Sequence, residues 1–364
     1  MIVNTEFDQL IQAGLDPVVI ALQESFNGEN TQPTYSFRTD LGKRYSIDGT
    51  YKTMGFDNGL VAADIIALDS PLPIKSRPVI EQAGGVVPKI GTERSMNETD
   101  RKQLRLLLRS LANNDRVGLA RVSSLLFNPV RHVYGGVLEQ IEYRKLQGES
   151  QGFFVADTDN VGLGVRVDYG YRPENMFGAS VVWGNSGYTA LADLVRVVDA
   201  AAAKGVIIDR VRMDTATKNL LLSSADASNF VSDFNGSLNN GGRPTFTRLN
   251  EALQTEYGFV IEEVKRSITT EINGVKNTFN PWVAGQVVFH QAGTFGDLVW
   301  SDVEEMSSPV GGVNYSIAEE MILISQYGSK RPSLKLWTDA QAVALPVING
   351  YNIHKLDTTS TDAT

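Results

Sequence analysis

Apolar positions along the chain change period several times, and each change predicts a change of element. Leu104, Leu107, Leu108 and Leu111 fall at i, i+3, i+4 and i+7, one buried face of a helix that Asn97 caps with Asp100 three positions on; Arg101, Arg105 and Arg109 line another face. The same spacing returns at Tyr134, Val137, Leu138 and Ile141, behind Asn128-Pro129, a cap followed by proline at the first helical position. This predicts a helix over 129–147 that stops at Gly148, its first turns weakened at Gly135 and Gly136 by roughly 1 kcal/mol each relative to alanine. Leu191, Leu194, Val195 and Val198 form a third stripe, ended by Gly205 and followed by VIIDRVRM, so 186–223 reads helix, strand, helix. One more helix is predicted around Leu249 to Tyr257.

Elsewhere the pattern is that of strands. FFVA at 153–156 and LGVRVDYGY at 163–171 are strand-like, the latter with period two, and VVFH (287–290), MILISQY (321–327) and LKLW (334–337) supply further strands. SITTEI and VKNTF flank Asn273-Gly274, the pair that supplies positive φ at both central positions of a type I′ turn, which predicts a hairpin over 267–279. In PLPIKSRPVIEQAGGVVPKIG at 71–91, four prolines and three glycines rule out a helix, and 41–92 reads as an extended ribbon with edge-like strands. Residues 224–247 are polar and read as a long loop, and the first 40 residues, with Pro17, Pro33 and one short amphipathic stretch at Phe7, Leu10 and Ile11, read as an arm. The chain closes on a polar tail, TTSTDAT.

Composition narrows the class. With 364 residues, 42% of them hydrophobic, the chain can bury a large core, and its length suggests about two globular units. The apolar runs are broken by charge or glycine well short of a bilayer span and MIVNTEFDQL has no basic n-region, so a soluble, unsecreted protein is expected. The chain has no cysteine, which excludes disulfides, thiolate metal sites and cysteine nucleophiles together. A net charge of −9 repels nucleic acid. The charge is uneven: Glu6, Asp8, Asp16, Glu24 and Glu29 precede the first basic residue, whereas 75–131 carries eleven basic residues against five acidic ones. Two solvated surfaces explain this; an acidic arm lying on the basic patch of a neighbouring subunit is the sharper reading.

Catalytic patterns are scarce. His132, His290 and His354 are far apart in sequence and lack metal-binding companions, so each reads as a structural residue. Gly184-Asn185-Ser186-Gly187 is followed by Tyr188 where a nucleophile elbow needs glycine, and Ser186 reads as a helix N-cap. Asp157, Asp159, Gly162 and Asp168 occupy calcium-loop positions 1, 3, 6 and 12, yet position 5 is Val161 and no second helix follows, which favours a turn between strands. No phosphate-binding loop occurs, and Gly162-Leu163-Gly164 lacks the third glycine of a dinucleotide fingerprint. No catalytic, cofactor-binding or metal-ligating residue is assigned.

A family resemblance emerges from the order of the elements. INGVKNTFNP (272–281) resembles a hairpin of the major capsid proteins of phage lambda and its relatives; AAAKGVIIDRVRMDTATKNLL (201–221), GVLEQIEYRKLQGESQGFFV (136–155) and ALPVINGYNIHKL (344–356) resemble, respectively, that family's helix-strand-turn, long helix entering a β element, and closing strand. The resemblance covers nearly the whole chain after about residue 40, is dispersed, and departs from the family in length and at 224–247. It implies an α+β protein with the Hong Kong-type capsid fold. In that plan 1–40 is the N-terminal arm, 41–92 the E-loop, 93–185 the first part of the P domain with its spine helix at 129–147, 186–291 the A domain, and 292–364 the rest of the P domain with the tail.

The function so implied is that of a non-enzymatic major capsid protein. Its copies would form hexamers and pentamers of an icosahedral head shell enclosing double-stranded DNA without sequence-specific binding and without a membrane. A separate scaffolding protein is expected, because no scaffold-like helical domain precedes the arm, together with a portal and a decoration protein; assembly would occur in the bacterial host cytoplasm and the product would be the virion. An encapsulin-like compartment shell and an α/β enzyme with an unrecognised site are the alternatives. Some relatives cross-link a lysine to a neighbour's asparagine; no such pair is assigned among Lys43, Lys52, Lys75 and Lys89, and none is expected. On this reading the arm and the ribbon 41–92 find their packing on adjacent copies.

Overall fold

The computed structural model describes residues 19–20, 35–55, 81–99, 102, 116–156, 165–234, 243–272, 274–329 and 335–362. Most of the arm, the middle of the ribbon, the leucine stripe at 104–111 and calcium-loop positions 157–164 lie outside them. The chain divides into two compact units, one of Met1–Tyr51, Val86–Glu142 and Leu298–Pro346, the other of Lys52–Gly85, Tyr143–Asp297 and Val347–Thr364. Helices and several sheets are mixed, as expected of an α+β chain.

In the first unit a six-stranded sheet is built around the strand Lys335–Ile348, which is 14 residues long and far exceeds the expected LKLW segment. Along one side it pairs antiparallel with Ile322–Ser329, which pairs in turn with Val313–Ala318; along the other it takes Lys89–Met96, Leu336 opposite Met96 and Val343 opposite Lys89. Gly296–Ser301 and then Leu41–Tyr45 extend the sheet. Both ends of the 41–92 ribbon thus pair with the chain's own sheet, where Leu41 and Met96 are buried, so dependence on adjacent copies cannot hold for the whole segment. Only Thr50–Gly55 and Glu81–Val86 form a separate two-stranded ribbon, and 56–80 are outside the described residues.

Helix α1, Arg116–Gln151, runs for 36 residues and buries the predicted stripe of Tyr134, Val137, Leu138 and Ile141. It starts well before Pro129, which therefore lies inside the helix rather than at its first position. An internal proline removes one hydrogen bond and costs about 3 kcal/mol relative to alanine, which the burial of Val130, Val133 and Tyr134 helps to offset. Gly148 is not the stop either: the helix continues to Gln151, and Gly152, at φ +83°, follows its end. A Cβ on Gly148 would lie 2.3 Å from Tyr169 Cε2, so glycine is there to admit a tyrosine.

The second unit is organised on a five-stranded sheet in the order Met176–Gly178, His354–Asp357, Gln286–His290, Arg210–Asp214, Val260–Val264. The two outer pairings are parallel and the two inner ones antiparallel. Val211, Met213, Val287, Phe289 and Leu356 enter one apolar core with helices α2 (Ala190–Ala203), α3 (Thr215–Ser223), α4 (Ala225–Phe234) and α5 (Phe246–Glu256). The centre line of α2 is Ala190, Leu194, Val197 and Ala201, rotated slightly from the Leu and Val stripe, and its N-cap position is Thr189, so Ser186 does not cap it. Asp214 caps α3 by accepting from Ala216 N at 3.0 Å.

Helix α4 corrects the loop expected over 224–247. Ala227 and Val231, four apart, bury one narrow stripe in an otherwise polar segment, with Phe230 packed alongside. The hairpin stands as expected, Ile268–Ile272 antiparallel to Val275–Phe279 with Ile272 opposite Val275 and Gly274 at φ +78°; Asn273 is outside the described residues. Phe153–Ala156 pairs with Val165–Asp168. The C-terminal segment is not a loose tail: Thr358 N donates to Gly285 O at 2.9 Å, and Ala179 N and Trp183 N donate to Ser360 O and Thr358 O.

Candidate functional site

Period two explains a polar centre inside the second unit. Val211, Met213, Val287 and Phe289 face the apolar core, so the intervening Arg210, Arg212, Val288 and His290 face the other side of the sheet. There Arg212 and His290 meet the last turns of α1, where Lys145 and Glu149, four apart on one helical face, are both 0% exposed. Lys145 Nζ lies 2.6 Å from Glu149 Oε2, His290 Nε2 2.8 Å from Oε1, and Arg212 donates to the same carboxylate at 3.3 Å while its Nε donates to Glu262 at 2.8 Å. The ring of Phe295 stacks on His290, centroids 4.2 Å apart, and Lys145 and Arg212 lie over its face.

Burial alone would push the Glu149 carboxyl up, yet the cations of Lys145 and Arg212 and the His290 hydrogen bond hold it well below the usual carboxylate range. Burial pushes His290 down, aided by the same two cations and opposed by Glu149. A carboxylate only accepts, so the neutral ring carries its proton on Nε2; its Nδ1 lone pair is buried without a hydrogen bond. The chemistry available here is charge compensation, which fixes the end of α1 to the sheet. No nucleophile takes part.

A second polar cluster, in the first unit, holds the start of the described body. Ser36 Oγ and Phe37 N donate to Glu142 at 2.6 and 3.1 Å, and Tyr35 OH donates to Glu139 at 3.1 Å, so residues 35–37 are fastened to α1. Arg38 pairs with Glu319, which also accepts from Tyr134 OH at 2.6 Å; burial and that carboxylate drive the phenol pKa far up. Glu319 and Glu320 occupy positive φ, 51° and 69°, in the connection from Val313–Ala318 to Ile322–Ser329. Such backbone is costly for non-glycine residues, and the Arg38 and Tyr134 contacts hold Glu319 in it.

The sequence candidates do not converge. His132 is exposed on α1; His290 belongs to the ionic cluster; His354, opposite Phe289, lies on the other face of the same sheet, stacked on Phe177. Burial lowers the His354 pKa to about 4. Ser186 is exposed. Asp168, the only calcium-loop carboxylate among the described residues, accepts from Gly170 N at 2.9 Å and stabilises a turn. Lys43, Lys52 and Lys89 are exposed, and Lys75 lies outside the described residues. Among the described residues no cluster of His, Asp and Glu has a metal-binding arrangement, and no helix is long and apolar enough to cross a membrane. Sequence reasoning passed over Lys145, Glu149 and Arg212; their signal was an i, i+4 ion pair inside a helix with an otherwise apolar stripe, and alternating arginines in a central strand.

No protein-family model matches the sequence, and no curated protein matches it significantly. Solved structures do match. One, described provisionally as a prophage capsid protein of E. coli CFT073, superposes with a TM-score of 0.56 at 11% identity, over 93% of this chain and 97% of that one. Another, a phage-related protein of Bordetella bronchiseptica RB50, superposes with a TM-score of 0.51 at 11% identity, over 96% of this chain and 98% of that one. The chain has the mixed α+β fold of these two proteins.

Proposed function

We propose that this protein is the major capsid protein of a tailed bacteriophage, a subunit whose copies build the icosahedral head shell around double-stranded DNA. The observation that carries the reading is the fold correspondence with the prophage protein of E. coli, which covers 93% of this chain and 97% of that one. The architecture supports it. A short two-stranded pair, Thr50–Gly55 with Glu81–Val86, cannot bury a core by itself and gains stability by lying on an adjacent subunit. Residues 35–38, fastened to α1, give the arm a fixed point of departure. An acidic subunit of net charge −9 repels packaged DNA, which suits a wall that encloses it without gripping it.

In this reading the arm is 1–40, the E-loop 41–92, the P domain 93–185 with 292–364, and the A domain 186–291. Hexamers and pentamers form in the bacterial cytoplasm with a scaffolding protein, a portal and a decoration protein, and end in the virion; the subunit has no catalytic step. The test is electron microscopy of the purified protein, expressed alone and together with a candidate scaffolding protein. Curved or closed shells are the expected result, and a discrete monomer or dimer under both conditions would overturn the reading.

A further inference from the structure

Two features of the second unit fit one another. The hairpin Ile268–Ile272/Val275–Phe279 is a sheet of its own, joined to no other strand among the described residues. Its base is anchored, with Ile268 buried and Phe279 edge-on to Tyr143 at 5.3 Å. Beyond the base Thr269, Glu271, Lys276, Asn277 and Thr278 are exposed, and at the turn Val275 is 71% exposed. A free two-stranded ribbon is marginal in water, so an apolar tip is better placed against another surface.

On the helical side of the same unit lies an open groove of about 510 Å³ with an apolar floor of Leu191, Ala192, Val195 and Tyr257 and a rim of Asp199 and Asp226. Arg196 also borders it but is committed, donating to Gly178 O at 2.6 Å and to Asp193 at 3.1 Å. Asp226 is likewise engaged, accepting from Ala192 N at 3.1 Å, which leaves Asp199 as the rim charge open to a visitor; the hairpin tip presents valine followed by lysine, with Glu271 opposite that lysine in the ladder.

We propose that the hairpin tip of one copy docks in the α2–α4 groove of a second copy, Val275 on the apolar floor and Lys276 against Asp199. Each chain carries one tip and one groove, so the contact is heterologous, the kind that builds a ring when the rotation between copies closes. This deepens the shell reading, on which it rests, by assigning the neighbour contact within a ring of subunits.

The cysteine-free chain makes the test direct. Val275→Cys and Ala192→Cys combined in one chain, oxidised and run on a non-reducing gel, are expected to give a ladder of linked chains that reductant removes, with no ladder from either single variant. An intrachain bond, no bond, or linkage by Val275→Cys alone would overturn the docking. Adding Lys276→Glu should abolish the ladder and Asp199→Lys on top of it should restore it; a ladder indifferent to Lys276→Glu would also overturn the docking. Images of wild-type protein separate the two readings. Closed particles without a ladder sink only the docking, and a ladder without closed particles under any assembly condition upholds the docking and sinks the shell.

Discussion

Taking Lys145 and Glu149 out of water costs several kcal/mol per ion, and the pair persists because Arg212 and His290 complete the coordination of one carboxylate. Glu149→Gln leaves two buried cations facing a neutral amide and is expected to destabilise the second unit by about 3–5 kcal/mol, read from the urea midpoint. Acid should act in two stages. His290 and His354 have folded pKa values below the ordinary 6.5, so they bind a proton more readily when unfolded; their contribution is complete above 6.5 and is lost as the pH falls, for His354 towards about 4. Glu149, held below the usual 4.5, contributes above that value and is lost only at still lower pH. In His354→Gln the loss of stability between 6.5 and 4 should be shallower, which unfolding curves at stepped pH would measure. The residue scale was the least legible in the sequence: Arg-Val-Arg-Met-Asp at 210–214 alternates like a strand with one wet face, and only the helix end packed on that face makes it dry.

At the scale of elements, legibility followed the strength of the local signal. The hairpin, the α1 stripe and FFVA came through because a turn dipeptide or a repeated spacing specifies them without help from tertiary context. The start of α1 was misplaced because Asn128-Pro129 is a valid cap sequence that packing overrides, and α4 was missed because its buried stripe consists of one alanine and one valine. Lys335–Ile348 outran its predicted four residues because Asp339 and Gln341 break the apolar run although the strand continues through them, Asp339 accepting from Gln341 Nε2 at 2.6 Å. Glycine supplies the sharpest test. Gly148→Ala gains roughly 1 kcal/mol of helix propensity, but its methyl meets the Tyr169 ring, so a net loss of about 1–3 kcal/mol is expected in thermal or urea unfolding.

For the molecule as a whole, the expectation of about two globular units agrees with the division of the chain, and a mixed α+β architecture was readable from the alternation of periods. What pattern alone could not show was which strands close which sheet, because pairing partners stand hundreds of residues apart. Removing residues 1–18 is expected to suppress particle formation, measured by sedimentation velocity; undiminished particles would show that the arm does not tie subunits together. The order of the five-stranded sheet also bears on how the protein is made. His354–Asp357 lies between Met176–Gly178 and Gln286–His290, so until residue 357 has cleared the ribosome the sheet is missing an inner strand and both flanking strands lack a partner. The nascent chain must therefore wait with a sticky, half-built sheet, and a ribosome that stalls before codon 354 releases a polypeptide fit only for chaperones or proteases.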